Sequence, residues 1–197
     1  MIDTKVRSNV QLLFDWSARV FWLVKLHPNT ITVFAFVFGI ISGLLIINNE
    51  YMFALLFILI SGYLDIIDGT VARLTNKSSK LGGYLDLIFD RLVEAFIVLA
   101  FYLAFNDYPI VYMLFYIGVI FNFSTFMLAS SIFDNKGNKI MHYDIGLVER
   151  SETFITFILM LLFVDYSVYV LLFFIILMFI TGLIRLFRII RFSITSG

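Results

Sequence analysis

Asp65-Ile-Ile-Asp68-Gly69-Thr-Val-Ala72-Arg73, followed after eight residues by Gly82-Gly-Tyr-Leu-Asp86-Leu-Ile-Phe-Asp90, is the stretch around which the rest of this chain is arranged. Asp65 and Asp68 are three residues apart, and Asp86 and Asp90 are four apart, so on helices each pair shares a face. The residues on either side are those of a protein that dissolves in lipid. Four acids in such a setting must be matched by cations or hydrogen bonds. That requirement is the first pointer to function.

Of the 197 residues, 61% are hydrophobic and 14% charged, with 24 Phe and a mean hydropathy of +1.00. Soluble domains carry about 25% charged residues, so the composition is that of a membrane protein. The formal net charge is zero, which gives no reason to expect a nucleic-acid partner. Cysteine is absent and only His27 and His142 are present. Thiolate metal sites, disulfides and Cys nucleophiles are thereby excluded, and a His-based zinc site is not expected. The first 26 residues lack a compact apolar run ending in small residues, so no cleavable signal is expected.

Residues 5–26 alternate with helical period. Val10, Leu13, Phe14, Phe21 and Val24 fall on one face, and Gln11, Asp15 and Arg19 on the other. With Trp16 and Trp22 suited to a membrane boundary, this is read as an interfacial amphipathic helix. His27-Pro28-Asn29-Thr30 ends it, and Asn29 or Thr30 is expected to cap the next helix.

Six spans of about 20 residues come next, near 30–48, 51–73, 82–106, 109–133, 147–165 and 167–190. The expected fold is therefore all-α: an integral membrane protein of six transmembrane helices preceded by the interfacial helix. With no repeat or linker in the sequence, residues 1–197 are expected to form one domain. Gly39-x3-Gly43 would allow close helix packing.

Positive charges set the orientation. Lys5, Arg7, Arg19 and Lys25 precede span one, Arg73, Lys77 and Lys80 follow span two, Lys136 and Lys139 follow span four, and Arg185, Arg188 and Arg191 end span six. The alternate connections carry Glu50, Asp107 and Asp165 without Lys or Arg. Both termini are expected to be cytoplasmic. At about 1.5 Å per residue Asp65 and Asp68 then lie about 21 and 26 Å in from the outer face, while Asp86 and Asp90 lie about 6 and 12 Å from the inner one. The pairs meet at similar depth, in a pocket open to the cytoplasm.

An all-carboxylate site without His or Cys suits Mg²⁺, Mn²⁺ or Ca²⁺. Two such ions would neutralise four acids, and paired metals clamp phosphoryl groups during in-line displacement. Gly69 and Gly82 permit close approach of a ligand to the backbone, and Arg73 can hold a phosphate oxygen. These residues by themselves indicate metal-assisted chemistry on a phosphorylated substrate at a membrane.

The pattern Asp-x2-Asp-Gly-x2-Ala-Arg-x8-Gly-x3-Asp-x3-Asp resembles, in type and spacing throughout, the signature of the CDP-alcohol phosphotransferases, integral membrane enzymes of phospholipid synthesis. The Pro28-Asn29-Thr30 entry and the six spans are similar too. The resemblance implies a pair of Mg²⁺ or Mn²⁺ ions on Asp65, Asp68 and Asp86, with Asp90 as general base and a further candidate metal ligand. It implies a cytidine-diphosphate pocket at Asp68, Gly69, Ala72, Arg73 and Gly82. The reaction would be attack by an alcohol hydroxyl on a CDP-linked lipid, releasing CMP, in a homodimer surrounded by membrane lipids. In phosphoinositol-transferring relatives basic residues grip the phosphate of the acceptor; here Lys139, Arg150, Arg188 and Arg191 are the candidates, which favours inositol phosphate or glycerol phosphate. The arginines ending span six are equally well read as snorkelling membrane anchors. Arg91 and Glu94 either pair with each other or line the pocket. A second branch of the family, taking a CDP-aminoalcohol and diacylglycerol, shares the signature. A reading from another class, a cation or proton transporter, would require midplane sites between inverted repeats, and no repeats are seen in the sequence.

Overall fold

The computed structural model describes residues 27–133 and 150–196. The expected interfacial helix at 5–26 lies outside the described residues, as do Lys136, Lys139 and His142. The chain divides after Asp107 into two compact units.

The first unit holds α1 (Pro28–Ile47), α2 (Tyr51–Leu74) and α3 (Lys80–Phe105). Pro28 occupies the first helical position, where its missing N–H costs nothing and its φ suits the helix. The cap therefore falls two residues before the earlier of the expected positions: His27, not Asn29 or Thr30, is in extended conformation and its Nδ1 accepts the Asn29 N–H at 3.3 Å. Asn48–Glu50 reverses the chain through Asn49 at φ 64°, a left-handed conformation that Asn tolerates well. At the start of α3 the Ser79 hydroxyl accepts the Gly82 N–H at 3.0 Å. Asn106, at φ 49°, ends that helix.

α1 packs along both α2 and α3. The Ser42 hydroxyl donates to the Ala54 carbonyl at 2.8 Å and the Ser61 hydroxyl to the Ala35 carbonyl at 2.7 Å. Residue numbers run oppositely across these two bonds, so α1 and α2 are antiparallel. On the other side Phe36 stacks on Phe89 with ring centres 4.6 Å apart, and a Cβ on Gly39 or Gly43 would stand 2.7 Å from Val93 or 2.5 Å from Phe96. Here the numbers rise together, so α1 and α3 are parallel. The Gly39-x3-Gly43 pattern thus brings two helix backbones close, as expected from its small residues. Ile31, Ala35, Leu64, Ile67 and Val71 form the buried apolar seam of α1 and α2. These directions put three helix ends together: the start of α1, the end of α2 and the start of α3.

The second unit holds α4 (Pro109–Phe133), α5 (Arg150–Leu162), a 3₁₀ turn (Val164–Tyr166) and α6 (Ser167–Ser196). Phe115 stacks on Phe174 and Phe121 on Phe179, so α4 and α6 run in the same direction. A Cβ on Gly182 would run into the Phe121 ring, which makes glycine a condition of that contact.

Among the described residues, four helices are long and apolar enough to cross a membrane: Pro28–Ile47, Tyr51–Leu74, Pro109–Leu128 and Val164–Arg191. The expected spans at 82–106 and 147–165 are not among these four, each for a physical reason. α3 has the length, 26 residues, but carries Asp86, Asp90, Arg91 and Glu94 in its body. α5 has 13 described residues, too few to span alone at about 1.5 Å each.

Candidate metal and nucleotide site

Where the three helix ends meet, Asp65 and Asp68 project from the last turns of α2 and Asp86 from the second turn of α3. One ligand oxygen from each lies within 4.8 Å of the others. Asp68 is buried and the other two are half-buried. Like charges at this separation repel strongly in a medium of low dielectric and call for a cation. Oxygens on opposite sides of a divalent ion stand about 4–5 Å apart, given bond lengths of about 2.0–2.6 Å. The geometry and the hard-oxygen chemistry of the three carboxylates therefore fit one such ion. Asp90, half-buried, is one turn further along α3 and outside this group of three.

Beside the carboxylates is a cleft of about 210 Å³. Asp68, Gly69, Ala72, Arg73, Gly82 and Asp86 line it, so every residue expected in the nucleotide pocket borders one cavity. The Thr70 hydroxyl donates to the Ile66 carbonyl at 2.9 Å and accepts from Arg73 at 3.1 Å. That bond anchors the exposed guanidinium at the rim, one turn above Gly69. A Cβ on Gly82 would stand 3.1 Å from Asn29 Oδ1. Glycine there lets α3 approach the start of α1.

The cleft has a second wall that residue spacing alone does not assign: Pro28, Asn29 and Thr32 from α1, and Lys77, Ser78 and Ser79 from the α2–α3 connection. Taken locally, Pro28-Asn29-Thr30 is only a helix start and Lys77 only an orienting charge. A signal for the wall is nevertheless present, because a short hairpin between α1 and α2 necessarily returns the end of α2 to the start of α1.

The basic residues expected at the acceptor are placed less fully. Lys139 lies outside the described residues, and Arg150 opens α5. Arg188 and Arg191 are exposed on α6 in the second unit. Arg185 is not a rim anchor. It is 5% exposed, and its guanidinium donates to the Asn122 carbonyl and Asn122 Oδ1 at 3.0 Å each and to Thr125 Oγ1 at 3.3 Å. It also sits 5.3 Å from the centre of the Phe126 ring. Within α3 the open choice for Arg91 is resolved: it pairs with buried Glu94 at 2.7 Å.

The family model described as CDP-alcohol phosphatidyltransferase matches residues 25–188. The chain belongs to the CDP-alcohol phosphatidyltransferase family. It is an integral membrane protein of a transferase family that depends on divalent metal, and the aspartate cluster is where that dependence would reside. Among similar proteins, a bifunctional IPC transferase and DIPP synthase of Thermococcus kodakarensis is 44% identical over 89 residues, 45% of this chain and 20% of that protein. The inner membrane protein YnjF of Escherichia coli is 30% identical over 171 residues, 83% of this chain and 82% of the relative. An archaetidylinositol phosphate synthase of Pyrococcus horikoshii is 28% identical over 95 residues, 48% of this chain and 50% of the relative. The chain therefore spans about a fifth of the bifunctional relative and half of the synthase.

Proposed function

We propose that this protein transfers a phosphatidyl-type group from a CDP-linked lipid, CDP-diacylglycerol or an ether analogue, to a small phosphorylated alcohol, with release of CMP. The observation that carries this reading is the convergence of Asp65, Asp68 and Asp86 within 4.8 Å beside a cleft that includes Gly69, Arg73 and Gly82. Similarity to two relatives, a bifunctional IPC transferase and DIPP synthase and an archaetidylinositol phosphate synthase, favours inositol phosphate over glycerol phosphate as the acceptor.

In the reaction a hydroxyl oxygen of the acceptor bonds to the lipid-side phosphorus as the bond from that phosphorus to the CMP oxygen breaks. Asp90 takes the hydroxyl proton. Asp65, Asp68 and Asp86, with Asp90 as a further ligand, would hold two Mg²⁺ or Mn²⁺ ions, which would supply charge stabilisation on the diphosphate. Gly69, Ala72 and Gly82 admit the nucleotide against the backbone, and Arg73 donates to a phosphate oxygen. Asn29, whose side-chain oxygen stands close to Gly82, completes the polar wall facing the nucleotide. Lys139, Arg150, Arg188 and Arg191 are the cations assigned to the acceptor's phosphate. The enzyme works as a homodimer of six-span protomers with both termini and the site on the cytoplasmic side.

The deciding experiment incubates purified protein with CDP-diacylglycerol and, separately, inositol phosphate, glycerol phosphate, serine and free inositol, scoring CMP release in Mg²⁺ or Mn²⁺. CMP release that depends on inositol phosphate is the expected result. Release only with a CDP-aminoalcohol and diacylglycerol would assign the protein to the other branch. No CMP with any pair would refute the proposal.

A further inference from the structure

At Gly39, Gly43 and Gly182 a Cβ would stand under 3.0 Å from Val93, Phe96 or Phe121, so helix contact accounts for each of these glycines. Gly82 is crowded as well, with Asn29 Oδ1 at 3.1 Å and Ser79 Oγ at 3.2 Å from its Cβ position. Gly83 differs. Beyond its own turn of helix, no atom of the described residues comes within 4 Å of its Cβ position, yet the residue borders the same cleft as Gly82 and Asp86. Glycine inside a helix costs stability relative to alanine, and no neighbour here requires it. The space over Gly83 is open to whatever enters the cleft.

Gly83 is three residues before Asp86 and seven before Asp90, so it shares their helix face, about 4.5 Å nearer the start of α3 than Asp86. Its N–H is taken by the Ser79 carbonyl at 3.1 Å, and the Gly82 N–H by the Ser79 hydroxyl at 3.0 Å. Neither is left to donate to a phosphate oxygen. What a ligand meets at Gly83 is bare Cα and peptide surface, which suits the face of a ring. Diphosphate oxygens belong instead with the aspartate cluster and with Arg73 and Lys77, which border the cleft from the end of α2 and the connection after it. The lipid half of a CDP-linked donor belongs along the apolar lengths of the helices. Its nucleoside is then directed toward the helix ends, where Gly83 stands.

We propose that Gly83 is a specificity-determining residue: the nucleoside of the donor lies flat against the α3 backbone there, in space that any side chain would occupy. The inference rests on the reading of the cleft as the CDP pocket. It adds a position that the spacing of Gly82, Asp86 and Asp90 does not include.

The test compares the parent, Gly83→Ala and Gly83→Leu, each as the full chain in detergent. Calorimetric titration in Mn²⁺ follows CMP and, separately, inorganic pyrophosphate, and thermal melts are recorded without metal. Gly83→Ala should weaken CMP binding about threefold and Gly83→Leu about 10–100-fold, the scale of forcing extra methyl and methylene groups into an occupied contact. Pyrophosphate, which has no nucleoside, should bind all three proteins equally. Both variants should melt at or above the parent temperature, because Ala and Leu form helix better than Gly and nothing stands in their way. CMP affinity unchanged in Gly83→Leu would overturn the proposal, since the nucleoside would then lie elsewhere. Pyrophosphate weakened in step with CMP would overturn it too, by placing phosphate rather than a ring over Gly83. Lower melting temperatures in both variants, or failure of both to fold, would show that packing accounts for this glycine. A parent chain that binds pyrophosphate but no CMP refutes the reading of the cleft as a CDP pocket; a parent that binds CMP as tightly as Gly83→Leu does refutes only the role of Gly83.

Discussion

The two units each bury charge in an apolar surround, and they do so in opposite ways. In the second unit Arg185 turns inward and its guanidinium is met by a carbonyl, an amide oxygen and a hydroxyl of α4, with an aromatic face alongside. Opposite partial charges come from within the same unit, so the arrangement acts as a lock between α4 and α6. In the first unit Asp65, Asp68 and Asp86 bring like charges together next to an open cleft. That grouping is favourable only when something positive arrives from outside. A buried charge whose neighbours complement it stabilises the fold, whereas buried charges that repel one another mark a place for a ligand.

The contrast is tested most severely at the base. Asp90→Asn is expected to lower kcat by about 10²–10⁴ while Mn²⁺ binding, followed by electron paramagnetic resonance, weakens less than on loss of any of the three clustered aspartates. Asp68→Asn should cost about 10²–10³ in kcat and weaken Mn²⁺ binding as well, because it removes the most deeply buried acid of the three. Arg185→Met probes the other kind of site. By leaving the Asn122 and Thr125 acceptors without their donor it should destabilise the protein by about 1–3 kcal/mol in thermal melts. It should leave Mn²⁺ affinity intact; a large change there would show that the two charge sites are not independent.

Smaller effects bear on how the first unit places its acids. Gly43→Val would drive a side chain into Phe96 and should cost about 1–3 kcal/mol as α1 and α3 are forced apart. Ser61→Ala removes the hydrogen bond to the Ala35 carbonyl and should cost about 0.6 kcal/mol, near the average for such bonds between membrane helices. A Gly43→Val variant that kept full Mn²⁺ affinity and stability would separate the site from the α1–α3 contact.

Much of the first unit is legible in its residues alone. The ends of α1, α2 and α3 come, to within two residues, from Pro, Asn and Ser punctuation around apolar runs. Gly39 and Gly43 announce a close helix contact, and the spacing of Asp65, Asp68 and Asp86 announces convergence. Less is legible where a residue's role depends on what stands across from it. Asn29 and Thr32 look like ordinary start-of-helix residues until the hairpin brings them to the cleft. Arg185, Arg188 and Arg191 form one series in the sequence, yet Arg185 faces inward because Asn122 and Thr125 lie opposite, while the other two are exposed. α3 falls short of the hydropathy of an ordinary span because Asp86, Asp90, Arg91 and Glu94 lie at the very place where the site is built.

Sequence alone determined that this chain lives in a membrane, where the helices of the first unit begin and end to within two residues, and which acids share a face, because hydropathy, helical period and turn chemistry are properties of residues close together along the chain. Tertiary structure decided which acids reach one another, that Asn29 borders the same cleft as Gly82, and that Arg185 is a lock rather than an anchor. Those facts depend on which helix lies beside which and in what direction, and residues dozens of positions apart carry no local trace of it.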